Sequence, residues 1–119
     1  VSSDEKAAVA RAHGCAHTIV TTREDIVARV REITGGKGVP VVYDSVGKDT
    51  LDASLSCLSP RGALVSNGTT SGPVVVDSMT LAVKGSLWLT RPAMVHYIHP
   101  RPHMLAMRNV SMTLRHLAC

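Results

Sequence analysis

The sequence predicts an α/β unit, a doubly wound parallel sheet with flanking helices, and three observations carry that expectation. Amphipathic stretches alternate with short apolar runs in the order helix, strand, helix, strand, helix, strand, strand. The run Val39-Pro-Val-Val-Tyr-Asp-Ser-Val46 is continuously apolar until its polar end, as expected of a strand buried on both faces. Phe is absent and one Trp and two Tyr supply all the aromatic content, so the core must be built from Val, Leu, Ile, Ala and Met. Aliphatic cores of this kind are common in parallel sheets.

Each element has a local cause. Asp4 to His13 is Ala-rich, begins with acids, carries its basic residues later and meets Gly14, which predicts a helix capped by Ser2 or Ser3. His17 to Val20 is apolar and partly β-branched and predicts a strand. Thr21 to Asp25 passes into a helix whose Ile26, Val27, Val30 and Ile33 repeat at helical spacing until Gly35-Gly36. After the Val39–Val46 strand, Asp49 to Leu58 places Leu51, Leu55 and Leu58 on one helix face. Pro60-Arg61-Gly62 then turns the chain into a strand at Ala63–Ser66, followed by a Gly/Thr/Ser loop from Asn67 to Gly72. A helical turn near Ser78–Val83 precedes the last strand, Ser86–Thr90, ended by Arg91-Pro92. Beyond Ile98 the pattern fails. The cluster His99-Pro-Arg-Pro-His103 opposes regular structure, and Met104–Leu117 has helical composition without a firm cap or stop.

Composition excludes several classes. With 45% apolar and 18% charged residues the 119-residue chain is globular, with room for one ordinary domain. No apolar run reaches the roughly 18 to 20 residues that span a bilayer, and the opening Val1–Lys6 lacks the features of a signal peptide, so a cytoplasmic setting is expected. Cys15, Cys57 and Cys119 are widely spaced with no C-x-x-C pair, and are read as reduced thiols. His96, His99 and His103 have a spacing that could ligate a metal only on a helix, which Pro100 and Pro102 oppose. Ser54, Ser56 and Ser59 lack a G-x-S-x-G elbow, which leaves a hydrolase reading without support.

Charge is uneven. Residues 1–77 hold all nine acids and eight basic residues, whereas residues 78–119 hold five basic residues and no acid. A module binding nucleic acid or another polyanion through Lys84 to Arg115 is therefore a rival reading, although it lacks interleaved aromatics, a zinc knuckle and a helix-turn-helix. A truncated product without function is the third reading.

Several short stretches occur together in order: Ser2-Ser3-Asp4-Glu5-Lys6, Arg23-Glu24-Asp25, Ile33-Thr-Gly-Gly-Lys-Gly-Val39, Val42-Tyr-Asp-Ser-Val-Gly47, Leu58-Ser-Pro-Arg-Gly62 and Thr90-Arg91-Pro92. In them residues 1–98 resemble the cofactor domain of NADPH-dependent quinone oxidoreductases, the zinc-free branch of the medium-chain dehydrogenase/reductase superfamily. The resemblance implies an incomplete Rossmann-like domain over residues 1–98 and a divergent tail over 99–119. It further implies a parent enzyme, expected to be a homodimer, that transfers hydride from NADPH to quinones or activated enones. The departure after Ile98 fits a fragment, an altered reading frame or a divergent tail equally well.

In that family a G-x-G-x-x-G turn holds the pyrophosphate, and these 119 residues contain no such motif. Gly35-Gly36-Lys37-Gly38 precedes a strand rather than following one, and reads as a helix stop. The resemblance places Lys6, Ser2 and Ser3 at the adenosine ribose, where a positive charge with hydroxyl donors suits a 2′-phosphate and hence NADPH over NADH. Thr21 or Thr22 stands where the family often has a Tyr against the adenine end. Ser45, Val46 and Gly47 are placed along the nicotinamide ribose, at the carboxyl end of a buried strand. Asn67 and Gly68 stand beside the nicotinamide, where family members commonly carry an aromatic residue before the Gly. Tyr43 is expected to pack and Asp44 to cap its turn, and no residue is assigned a catalytic role. With a family strand order of 3-2-1-4-5-6, strand 1 and nearly all of strand 2 are missing here, leaving His17–Val20 roughly 14 Å from Val39–Val46. Direct pairing of those two segments is the expected way to close the gap.

Overall fold

In a computed structural model, which describes residues 1–98, 101, 102 and 105, Val39, Val41 and Val42 pair with a second apolar run to begin a parallel sheet. Strand β1 (Val39–Asp44) lies beside β2 (Leu58–Ser66), and β2 beside β3 (Trp88–Thr90), in the order β1-β2-β3. The register sets Val42 opposite Leu64 and Leu64 opposite Leu89. These residues, with Leu58 and Val39, face α3 (Leu51–Cys57) and α4 (Ser78–Val83), and Leu55, Leu58, Leu64 and Leu87 form the buried centre.

Two helices precede the sheet and a short one follows it. Helix α1 (Asp4–Ala12) is capped by Ser3, whose Oγ accepts from the Lys6 amide at 3.3 Å. Helix α2 (Ile26–Ile33) is capped by Asp25, which accepts from the Ala28 amide at 2.7 Å. Arg31 ties α2 to the end of α3: its guanidinium donates to the carbonyls of Gly36, Ser56 and Leu58. Helix α5 (Val95–Ile98) closes the described segment. The tail at 99–119, with the expected helix at Met104–Leu117, His99, His103 and Cys119, lies almost wholly outside the described residues.

Several expectations are corrected. Helix α3 stops at Cys57, and Leu58 begins β2 opposite Val39; Pro60-Arg61-Gly62 is a bulge inside that strand, with Arg61 at φ 63° and its amide bonded to the Gly85 carbonyl. Strand β3 begins at Trp88, because Ser86 takes a left-handed turn at φ 56°. Strand β1 is not buried on both faces. Alternation sends Val41 and Tyr43 to the face away from α3, where they are 41% and 75% exposed, and Trp88 on β3 is 69% exposed. Tyr43 therefore does not pack.

The gap is not closed. His17–Val20 forms no strand, and among the described residues β1 has β2 as its only strand partner. The segment's polar groups are already engaged: the Val1 amino group donates to the Ile19 carbonyl, the Thr21 amide to the Val1 carbonyl, and the Val20 amide to Glu24. The first two bonds have the pattern of a parallel ladder between Val1 and Val20. A cleft of about 590 Å³ separates this pair from β1.

Candidate functional site

Strand β1 ends in Asp44, a carboxylate only 6% exposed at the carboxyl edge of the sheet. Its Oδ1 accepts from the amides of Val46 and Gly47 at 2.8 and 3.0 Å, and its Oδ2 from the hydroxyls of Thr50 and Ser54 at 2.7 and 2.6 Å. Burial by itself would raise the carboxyl pKa. The hydrogen bonds from Ser54, Thr50, Gly47 and Val46 outweigh it and hold the group below its ordinary value. A carboxylate saturated in this way is a poor proton acceptor, so Asp44 shapes the loop, as the sequence predicted.

That loop is fastened to the one after β2. Amides of Asn67 and Gly68 donate to the Asp44 carbonyl; Ser71 donates through both its amide and its hydroxyl to the Val46 carbonyl, and its Oγ accepts from the Asp49 amide. Thr70 donates to the Ser45 carbonyl, and Gly47 bridges to Gly72. The loops approach so closely that a Cβ on Gly68 would lie 2.1 Å from the Ser45 carbonyl oxygen, and one on Gly47 2.5 Å from that of Gly72. Gly47 also stands at φ 101°. Both glycines are thus demanded by contact within the chain.

Of the residues expected at a ligand site, Ser2, Thr21, Ser45 and Val46 line one cleft, together with Tyr43 and apolar side chains of α2 and α3. Lys6 joins its rim indirectly, donating from Nζ to Ser2 Oγ at 3.0 Å, while the Thr21 hydroxyl is engaged by the Val1 carbonyl. Ser3 is spent on the α1 cap. Gly47, Asn67 and Gly68 are not part of the cleft lining. Ser66, at the end of β2, has a buried hydroxyl without a hydrogen-bond partner, and Arg91 donates to the Ser66 carbonyl at 2.8 Å. Sequence reasoning missed Thr70 and Ser71, and also Thr50 and Ser54, although the last two stand four apart at the start of α3 and hence on one face.

One rival feature loses support. Lys84, in the basic segment, is held by Asp52 and Ser56, and Arg91 is directed inward. Among the described residues no group of three His, Cys, Asp or Glu side chains could hold a metal ion, and His96 is the only described member of its trio. Cys15 is free and exposed, Cys57 free and buried. No described helix is long and apolar enough to cross a membrane.

A parallel sheet with glycine-dependent loops at its carboxyl edge defines the class as α/β. A family model described as zinc-binding dehydrogenase matches residues 1–103, and the chain belongs to that family. The described residues do not fit the zinc in that description. The chain is 55% identical to a 2-haloacrylate reductase from a Burkholderia species, over 85% of this chain and 31% of that protein. It is 52% identical to a quinone oxidoreductase of Pseudomonas aeruginosa, over 90% of this chain and 33% of that protein. Among solved structures, Escherichia coli quinone oxidoreductase complexed with NADPH superposes with a TM-score of 0.88 at 45% identity, covering 96% of this chain and 35% of that one. The chain thus spans about a third of the length of the curated relatives it matches. Its described fold is part of the Rossmann-like domain of those structures.

Proposed function

We propose that this chain supplies part of the NADPH-binding domain of a reductase that transfers hydride to quinones or activated enones, and that it completes no catalytic cycle alone. The observation that carries the reading is the Lys6 Nζ contact to Ser2 Oγ at the rim of the cleft that Ser45 and Val46 also line. An ammonium and serine hydroxyls at a strand end form a donor set suited to a 2′-phosphate. Thr21 lies on the same wall and offers an adenine ring little stacking area. At the far wall, Ser45 and Val46 would meet a nicotinamide ribose, and the paired loops that carry Gly47, Asn67 and Gly68 just outside the lining would set the position of that wall. NADPH, when bound, supplies the hydride; the chain's own residues orient it. No described side chain is placed to move a proton, and orienting cofactor and substrate together requires a further domain.

The cofactor contacts are testable on the chain itself by nuclear magnetic resonance. Millimolar NADPH is expected to shift the amide signals of Ser2, Ser3 and Lys6 as well as those of Ser45–Gly47, whereas NADH shifts only the second group. Identical shifts with both nucleotides would make Lys6 a helix residue without a role in choosing the cofactor.

A further inference from the structure

The two peptide groups on either side of Val46 are each held at both ends, once from the end of β1 and once from the loop after β2. We infer that Thr70 and Ser71 are positioning residues: acting through those two peptides, they decide which polar groups the far wall of the cleft presents to a nicotinamide ribose. The inference rests on the cofactor reading above, and it assigns the geometry of that wall to two side chains that do not line the cleft.

In the Ser45–Val46 peptide the carbonyl accepts from Thr70 Oγ1 at 3.0 Å, and the N–H donates to Asp44 Oδ1 at 2.8 Å. In the Val46–Gly47 peptide the carbonyl accepts from the Ser71 amide at 2.8 Å and from Ser71 Oγ at 2.9 Å, and the N–H donates to the same Asp44 oxygen at 3.0 Å. Thr50 takes the Gly47 carbonyl in turn, through its amide and its hydroxyl. Every carbonyl from Ser45 to Gly47 is thus satisfied within the chain. Ser45 and Val46 are both exposed and line the cleft, so the wall meets a ligand through side chains, a serine hydroxyl beside an isopropyl group. A hydroxyl can donate to a sugar hydroxyl and accept from it, and no free carbonyl competes there.

Asp44 secures only the N–H ends of the two peptides. Gly47, at φ 101°, has no Cβ to resist rotation of the Val46–Gly47 peptide, so without Ser71 a single bond to Asp44 opposes a turn of the Val46 carbonyl toward the ligand. Ser71 is itself fixed, because its Oγ accepts from the Asp49 amide at 3.0 Å. The two loops therefore close a ring of hydrogen bonds around the wall before any ligand arrives, which removes an ordering cost from binding.

Nuclear magnetic resonance on the full chain tests this with one probe for each end of the cofactor. Reduced nicotinamide mononucleotide is read at the amides of Ser45–Gly47, and adenosine 2′,5′-bisphosphate at those of Ser2, Ser3 and Lys6. Ser71→Ala is expected to weaken the mononucleotide about tenfold and Thr70→Val about threefold, while the bisphosphate binds both variants as it binds the unmodified chain. Ser71→Thr keeps the hydroxyl and should restore the mononucleotide to within about twofold, with the Val46 carbonyl carbon shifted in Ser71→Ala returning to its place. Unchanged mononucleotide affinity in Ser71→Ala overturns the inference. A loss that Ser71→Thr shares, or that the bisphosphate shows equally, also overturns it, since either makes Ser71 a residue of general stability. Thr70→Val decides by the same comparison should Ser71→Ala not fold. In the unmodified chain, a mononucleotide that leaves Ser45–Gly47 unmoved while the bisphosphate still moves Ser2–Lys6 is a separate result: it removes the nicotinamide half of the cofactor reading, and this inference with it.

Discussion

The two sides of the cleft are held by different physics. On one side β1, β2, β3 and α3 share a parallel ladder and a centre of Leu55, Leu58, Leu64 and Leu87, each no more than 7% exposed. On the other, α1 and the segment to Thr21 bury only Ala7 and Val20, and are fastened by Val1's bonds to Ile19 and Thr21 and by the exposed ion pair of Arg23 with Asp4. Such a surface pair adds little to stability. The sheet side therefore carries its own stability, and the N-terminal side is positioned more than it is packed.

The largest effect expected from this contrast is at Leu64, 1% exposed between β1 and β3. Leu64→Ala should cost roughly 2–5 kcal/mol in denaturant unfolding and remove protection from both sides together. Retention of α1 protection in that variant would show the N-terminal side to be the more independent one.

Asp44 gives an intermediate effect with a defined sign. Its folded pKa is depressed below 3.8, so its contribution is fully present above the ordinary carboxylate range and is lost as pH falls through the folded value. Denaturation followed from about pH 6 to about pH 3 should show stability falling at the acid end, less steeply in Asp44→Asn. An identical acid slope in the variant would mean that the four hydrogen bonds do not favour the charged form.

Loosening α1 alone is expected to have the smallest effect. Ser3→Ala removes the α1 cap and should cost about 1 kcal/mol, seen as roughly fivefold faster amide exchange in α1 alone. Equal acceleration in β1 and β2 would make the two sides one cooperative unit.

How much was legible in the sequence follows the range of the interactions. Caps, glycine stops and the position of β1 depend on near neighbours, and a cap at Ser2 or Ser3, the stops at Gly14 and Gly35-Gly36, and the start of β1 at Val39 were legible accordingly. The start of β2 depends on Leu58 meeting Val39 across the sheet, which no local pattern announces, and Pro60-Arg61-Gly62 looks the same as a turn or as a bulge. Exposure of Tyr43 was hidden for a similar reason: an apolar run shows that a strand can be covered, not whether the covering layer is present. Failure of the gap to close rests on Glu24 and Val1 already serving the Val20 segment. At the site, Lys6 and Ser2 stand four apart on adjoining backbone and were readable together, whereas Ser71 meets Val46 only through the pairing of β1 with β2.

We propose that these 119 residues contribute contacts to the two ends of a nicotinamide nucleotide and not to its pyrophosphate, since no G-x-G-x-x-G turn occurs among them. Calorimetric titration of the 119-residue chain with NADPH tests it most directly. The account predicts no saturable heat at micromolar nucleotide, since Lys6, the serines and the nicotinamide edge act without the cradle. A dissociation constant of about 1 μM or tighter, corresponding to roughly −8 kcal/mol, would contradict it and relocate the principal contacts to residues described here.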